Sequence, residues 1–201
     1  MNDHKDDISI QSAWREYQAL PSSEWRKDYF DETTGGYVAT HVLKGKDTMK
    51  RIGIAKEVTT CLELAKTGKR LLRLPENTLD KIDNIIIDGQ IFRQLLKFKP
   101  GNTKPKGYPD VYFDGQTWDF KTSTFKNEDS LRHTIKEGQK ADAIILIVNT
   151  PEDFLMVESA IKSEIGRRTT DGTWVELPDV YCWFQGKLDQ IWNKKRQGHC
   201  L

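Results

Sequence analysis

The sequence predicts an α/β fold, with a mixed central β-sheet flanked by helices. Three stretches carry that prediction. "DAIILIV" (142–148) is an apolar run of strand length without polar alternation, the pattern of a strand covered on both faces. "DTMKRIGIAKEVTTCLELAKTGK" (47–69) repeats apolar residues at helical spacing through Ile54, Val58, Cys61, Leu62 and Ala65. "YPDVYFDGQTWDFKT" (108–122) joins two short runs through Asp-Gly, a strong local signal for a tight hairpin.

Taken in order, "ISIQSAWREYQALPSSEWRKD" (8–28) predicts one or two short helices, interrupted at Pro21, with "PSSEW" supplying a cap and a restart. "TTGGYVATHVL" places a Gly-Gly turn before a strand at Tyr37–Val42. The helix that follows takes Asp47 or Thr48 as its cap and closes at Gly68. "RLLRLPE" is a short strand closed by Pro75, and "NIIIDGQIF" a second hairpin across Asp88-Gly89. "KFKPGNTKPKGYP" is a basic loop. "NEDSLRHTIKEGQKA" has a polar start and then Leu131 and Ile135 four residues apart, a helix ending near Ala141. Strand, helix and buried strand in succession make a crossover unit, so the strands at Asp119 and Ile145 are expected to run parallel. Residues 152–166 read as a helix, "DVYCWFQ" as a strand and "KLDQIWNKK" as a closing helix. The organisation expected is an N-terminal helical and strand extension over 1–45 and an α/β domain over 46–201.

The chain has 201 residues, 37% of them hydrophobic and 30% charged, enough for one well-buried core and unlike a disordered polymer. No apolar run reaches the roughly 20 residues that cross a bilayer, so no membrane partner is expected. The start "MNDHKDDISIQ" lacks the pattern of a signal peptide. A cytoplasmic protein is expected, unless a dedicated machine delivers it to another cell. Cys61, Cys182 and Cys200 are an odd set without CxxC spacing and read as ordinary thiols. Net charge is only +1, yet Lys44 to Lys106 holds roughly twice as many Lys and Arg as Asp and Glu. Such a local excess suits a phosphate-bearing partner, or a set of solvated lysines.

With Asp114-Gly115 as the two central turn residues, the hairpin register places Tyr112 opposite Thr117, Val111 opposite Trp118 and Asp110 opposite Asp119. Val111, Phe113, Trp118 and Phe120 then share one apolar face, and Asp110, Tyr112, Thr117, Asp119 and Lys121 the other. Two carboxylates directly opposed across a strand pair repel, by roughly 0.2–1 kcal/mol when exposed. A divalent cation would relieve this, since Mg²⁺ accepts one or two carboxylates and completes its shell with water and phosphate oxygens. Lys121 would then orient an attacking water or stabilise charge on a phosphate. In a second reading, Lys121 simply bridges two acids on a wet face.

"PD", eight residues, then "DFK" matches the PD-(D/E)xK nuclease motif at Asp110, Asp119 and Lys121, and the chain over about 50–150 resembles that superfamily's restriction-endonuclease-like αβββαβ core. The resemblance implies a metal-dependent endonuclease using Mg²⁺, with Mn²⁺ as an alternative, and makes 46–201 a nuclease-like domain. It adds Glu57 on the first helix as a metal ligand, with Glu63 as the fallback, and Gln139 on the crossover helix as a substrate contact. "GGYVATH", "LLRLPE" and "GQKADAIILIV" are in addition similar to C-terminal nuclease toxin domains of contact-dependent inhibition systems and to related phage-associated domains. Such domains cleave DNA or tRNA and are neutralised by an immunity protein.

In the basic loop, Lys97, Lys99, Lys104 and Lys106 are candidate phosphate contacts and Tyr108 a candidate stacking platform. His41 and His133 would be the acid and base of a metal-independent RNase, the alternative activity. A third alternative is a non-catalytic nucleic-acid-binding or phage structural module. Trp118, Trp174 and Trp183 are expected in the core.

Overall fold

The computed structural model describes residues 3–44, 52–76, 78–99, 101–122, 127–170 and 177–193. Asp47, Thr48, Trp174, His199, Cys200 and the basic tail beyond Asn193 lie outside these. The fold is α/β, with a large mixed sheet of eight strands and helices packed on it. The chain forms two compact units, Met1–Thr117 and Trp118–Leu201.

The first unit opens with α1 (Asp3–Ala19), which ends before Pro21 as a helix must. The stretch after Pro21 does not restart a helix. It forms strand β1 (Trp25–Phe30), antiparallel to β2 (Tyr37–His41). The correction has a physical cause: the register shifts between Lys27 and Tyr29, so a bulge at Asp28 spaces Trp25, Tyr29 and Phe30 as a helix would.

In the β1–β2 loop the Asp31 carboxylate accepts from Thr33 N–H, Thr33 Oγ1, Thr34 N–H and Tyr29 Oη. Those bonds hold its pKa well below the usual carboxylate range. The two glycines there have separate duties. Gly35 takes φ +72, while Gly36 makes room for the end of the next helix: a Cβ on it would sit 1.8 Å from the Ala65 carbonyl oxygen.

Helix α2 (Ile52–Lys66) packs on β2 and on β3 (Arg70–Arg73), which are parallel to each other. It buries Glu57, Thr60, Cys61, Leu64 and Ala65, with Val58 and Leu62 half-buried beside them. The predicted hairpin is present as β4 (Ile86–Ile87) and β5 (Gln90–Ile91), with Asp88 and Gly89 both at positive φ. A single helical turn, α3 (Phe92–Leu95), follows it. Ile82, Ile85, Ile87, Phe92 and Leu96 pack with Tyr37, Ala39, Leu72, Leu74 and Tyr112 into one cluster. Tyr112, expected on a polar face, is therefore buried, and its hydroxyl is tied to Gln90 and Asp88.

Strand β6 (Val111–Phe113) is antiparallel to β3 and precedes β7 (Gln116–Thr122). Between them Asp114 (φ 51) and Gly115 (φ 73) have the left-handed backbone that a two-residue primed turn requires. The strand order of the first unit is β1-β2-β3-β6.

In the second unit β7 runs parallel to β8 (Ala143–Ile147), with Asp119 opposite Ile144 and Lys121 opposite Leu146, as the crossover pattern predicts. The crossover is α4 (Glu128–Glu137), started by a capping box between Asn127 and Ser130 and continued by a 3-10 turn at Gly138–Lys140. Every residue of β8 is buried. Helix α5 (Pro151–Thr170) leads to β9 (Asp179–Phe184), parallel to β8. Leu131 and Ile135 join Ile144, Leu146, Val157, Val180 and Cys182 in the core. Trp118 and Trp183 are buried as expected.

The predicted closing helix is not formed. Residues Lys187–Trp192 make strand β10, antiparallel to β9 across a tight turn at Gln185-Gly186, both at positive φ. A register shift between Gln190 and Trp192 again spaces Leu188, Ile191 and Trp192 like a helix face.

The glycines give a graded test of this packing. Gly36→Ala is expected to lower stability by about 2 kcal/mol, because the obstructing atom is a backbone oxygen. Gly89→Ala, with positive φ but open space around it, should cost only about 1 kcal/mol. Urea midpoints of the two variants check the order.

Candidate functional site

The first unit brings three segments together at one end of its sheet: the chain leaving β2, the chain leaving β3, and Asp110 just ahead of β6. The Asp110 carbonyl accepts from Leu74 N–H at 2.9 Å, and Glu76 N–H reaches the Leu43 carbonyl at 3.5 Å. Parallel strands that end together beside a helix commonly frame a site. Here α2 supplies Glu57, and the meeting point is ionic.

At its centre is Lys44, whose side chain is 7% exposed. Its ammonium lies 2.7 Å from Glu76 Oε1, 3.6 Å from Glu57 Oε1 and 3.9 Å from Asp110 Oδ1. Burial alone would depress the Lys44 pKa, but Glu57, Asp110 and Glu76 together outweigh it and raise it above its ordinary value. Arg73 is the second cation: its Nη2 and Nε donate to Glu57 Oε1 at 2.9 and 3.3 Å. Arg73 and Lys44 both act on Oε1 of Glu57. Arg73 also donates to Thr40 Oγ1 (3.3 Å), which donates in turn to Asp28 Oδ2 (2.5 Å). Three carboxylates, Glu57, Glu76 and Asp110, thus meet at Lys44, and Glu57 also meets Arg73.

The second unit holds the other two residues of the motif. Asp119 has zero exposure, and its carboxylate contacts Lys121 Nζ at 3.1 Å and Lys140 Nζ at 2.8 Å. Lys121 does pair with an acid, though not on a wet face. The turn after α4 passes closely over this carboxylate. A Cβ on Gly138 would meet Ile144 Cδ1 at 2.2 Å and come within 3.5 Å of Asp119 Oδ2. Gln139, in the same turn, is half-buried.

The donor set suits a hard cation such as Mg²⁺, being carboxylate oxygens already gathered around positive charge. Among the described residues, no three His, Cys, Asp or Glu side chains stand close enough to share one ion as they are. The oxygens around Lys44 keep ammonium distances, longer than the roughly 2.1 Å of Mg²⁺ coordination.

Sequence reasoning named Glu57, Asp110, Asp119 and Lys121 but missed Lys44, Arg73, Glu76 and Lys140. "RLPE" did quote Arg73 and Glu76, and "GQKAD" did quote Lys140, each as part of a segment without a role. Of the loop residues, Lys99, Lys104 and Lys106 are exposed and Lys97 is half-buried. The ring of Tyr108 is half-buried and stacked on Phe92 at 6.3 Å. His133 is exposed beside Glu137. His41 is 3% exposed, packs edge-on to Trp25, and accepts the Leu43 N–H at Nδ1. Cys61 and Cys182 are buried free thiols, and burial pushes Cys182 up to about 12. Among the described residues no helix is long and apolar enough to cross a membrane.

Burial holds the His41 imidazole below its ordinary 6.5, so proton uptake favours the unfolded chain. Its contribution is full above about pH 6.5 and is lost as pH falls through that value towards the depressed one. The urea midpoint is expected to drop between about pH 7.5 and pH 5.5, and to drop less in His41→Gln. No family model, curated protein or solved structure matches the chain.

Proposed function

We propose that the chain is a metal-dependent endonuclease that cleaves phosphodiester bonds in DNA or tRNA. The observation that carries the reading is Asp119, a fully buried carboxylate with the ammonium of Lys121, two residues further along the same strand, 3.1 Å away. An acid and a lysine fixed on one face of a buried strand form an unusual arrangement for structure alone, because burying charge is costly unless something is gained.

In this reading Mg²⁺, with Mn²⁺ able to replace it, is held by carboxylates, the candidate ligands being Glu57 and Asp110 in the first unit and Asp119 in the second. The metal supplies charge stabilisation at the phosphate and a more acidic bound water. Lys121 orients the attacking water and offsets charge on the phosphate. Arg73 fixes the carboxylate of Glu57. Lys99, Lys104 and Lys106, all exposed, attract the nucleic-acid backbone, each phosphate contact adding to salt dependence. A toxin-type role with an immunity protein as partner is the biological setting this chemistry fits. The buried, hydrogen-bonded state of His41 gives no support to a metal-independent RNase centred on it.

A non-catalytic nucleic-acid-binding module is the second reading. It is favoured by the fact that each carboxylate group already has its own lysine or arginine counter-charges.

Incubation with plasmid DNA and with total tRNA separates the two. Cleavage is expected with Mg²⁺ and not with EDTA. Asp119→Asn and Lys121→Met should each slow it by about 100-fold or more while near-UV circular dichroism stays native. Full activity in either variant would defeat the proposal, and metal-independent binding without cleavage of either substrate would establish the second reading.

A further inference from the structure

The other end of the first unit's sheet, where β2 and β3 begin and β6 stops, holds a cavity of about 480 Å³. That is within the roughly 300–1,000 Å³ typical of small-ligand sites. Its floor is buried and formed by Tyr37, Leu72, Tyr112 and Phe113. Its rim is charged. Glu16 takes Arg70 Nη1 on both carboxylate oxygens, at 2.7 and 2.9 Å, and Asp114 takes Lys69 Nζ at 2.5 Å. Asp88 differs from these two acids: its Oδ2 accepts from the Tyr112 hydroxyl at 3.1 Å, but among the described residues no Lys, Arg or His pairs with it. The rim therefore keeps one negative charge in excess.

Tyr37 gives an independent sign of a ligand. It is 6% exposed and lines this cavity, yet among the described residues its hydroxyl has no hydrogen-bond partner. A phenol so deeply buried ordinarily finds one. Burial and Glu16, with a further push from Asp88, hold its pKa up at about 12 against the pull of Arg70. The hydroxyl stays protonated in a negative field, with its lone pairs turned to the cavity.

We propose that this cavity binds an organic cation, an alkylguanidinium or alkylammonium group, with Asp88 as its counter-charge and the Tyr37 oxygen as a second acceptor. The N–H groups of the cation donate to both, and its alkyl stem covers the apolar floor at Leu72 and Phe113. Glu16 and Asp114 are already neutralised by Arg70 and Lys69, so they shape the rim and turn anions away without competing for the ligand. Such a group is carried by a free amine or by an arginine or lysine side chain of another protein. The site shares no residue with the carboxylates of the endonuclease reading and stands whether or not the chain cleaves nucleic acid.

Calorimetric titration of the full chain with n-butylguanidine at low ionic strength tests this, with n-butylurea as the neutral control. Saturable binding of the guanidinium is expected, at least about tenfold tighter than that of the urea. Asp88→Asn keeps an acceptor for Tyr112 and a residue that tolerates the turn, and is expected to weaken binding by about tenfold. Tyr37→Phe is expected to weaken it by about fivefold while the urea midpoint holds or rises, because the hydroxyl has no partner in the protein to lose. Equal binding of the two probes, no saturable binding, or full affinity in Asp88→Asn overturns the proposal. So does a fall in the midpoint of Tyr37→Phe, which would mark the hydroxyl as structural. N-acetylarginine amide separates the sources: binding as tight as that of n-butylguanidine supports a site for a protein side chain, and markedly weaker binding supports one for a free amine.

Discussion

Carboxylates taken out of water must find positive charge nearby, and that requirement organises the charged cluster of each unit. In the first, Glu57 could not be buried on the inner side of α2 without Arg73 beneath it and Lys44 beside it. The network continues through Thr40 to Asp28, so a bulged residue in β1 helps to orient an arginine two strands away. In the second, Asp119 is buried between Lys121 and Lys140, on a strand otherwise packed as core. Removing one member of such a group leaves an uncompensated charge, which is why buried ion clusters are poor sources of net stability yet costly to break.

The packing explains how these charges are kept in place. Parallel pairing of β2 with β3 makes both chains leave the sheet at the same end, and α2 lies across them. The segment 78–99 is integral to the first unit's core. It buries Tyr112, Leu72 and Leu74 under Ile82, Ile87 and Phe92. In the second unit Gly138 lets the turn approach both Ile144 and Asp119, which brings Lys140 within reach of the carboxylate.

What could be read from the sequence follows from range. The Asp-Gly turns, the apolar β8 and the capped α4 are set by neighbours within a few residues, and each stands where the pattern predicts. The acids and lysine of the short motif were legible for the same reason. Lys44, Arg73, Glu76 and Lys140 were not, because their partners lie between 16 and 66 residues away in most of these contacts, and only the fold brings them together. The two misread segments share one cause. In β1 and β10 a bulge adds a residue between buried side chains, and the resulting spacing imitates a helix.

Those two strands are also the outermost in the strand order of their units. An open strand edge is a template for unwanted growth, and an interruption in its ladder spoils the match with a second chain. Arg26 and Asp28 on one, and Lys187 and Asp189 on the other, add paired charges along the same borders. The irregularities that disguise β1 and β10 therefore guard a concentrated solution of this protein against fibre-like stacking, and straightening either one would trade a tidier ladder for aggregation.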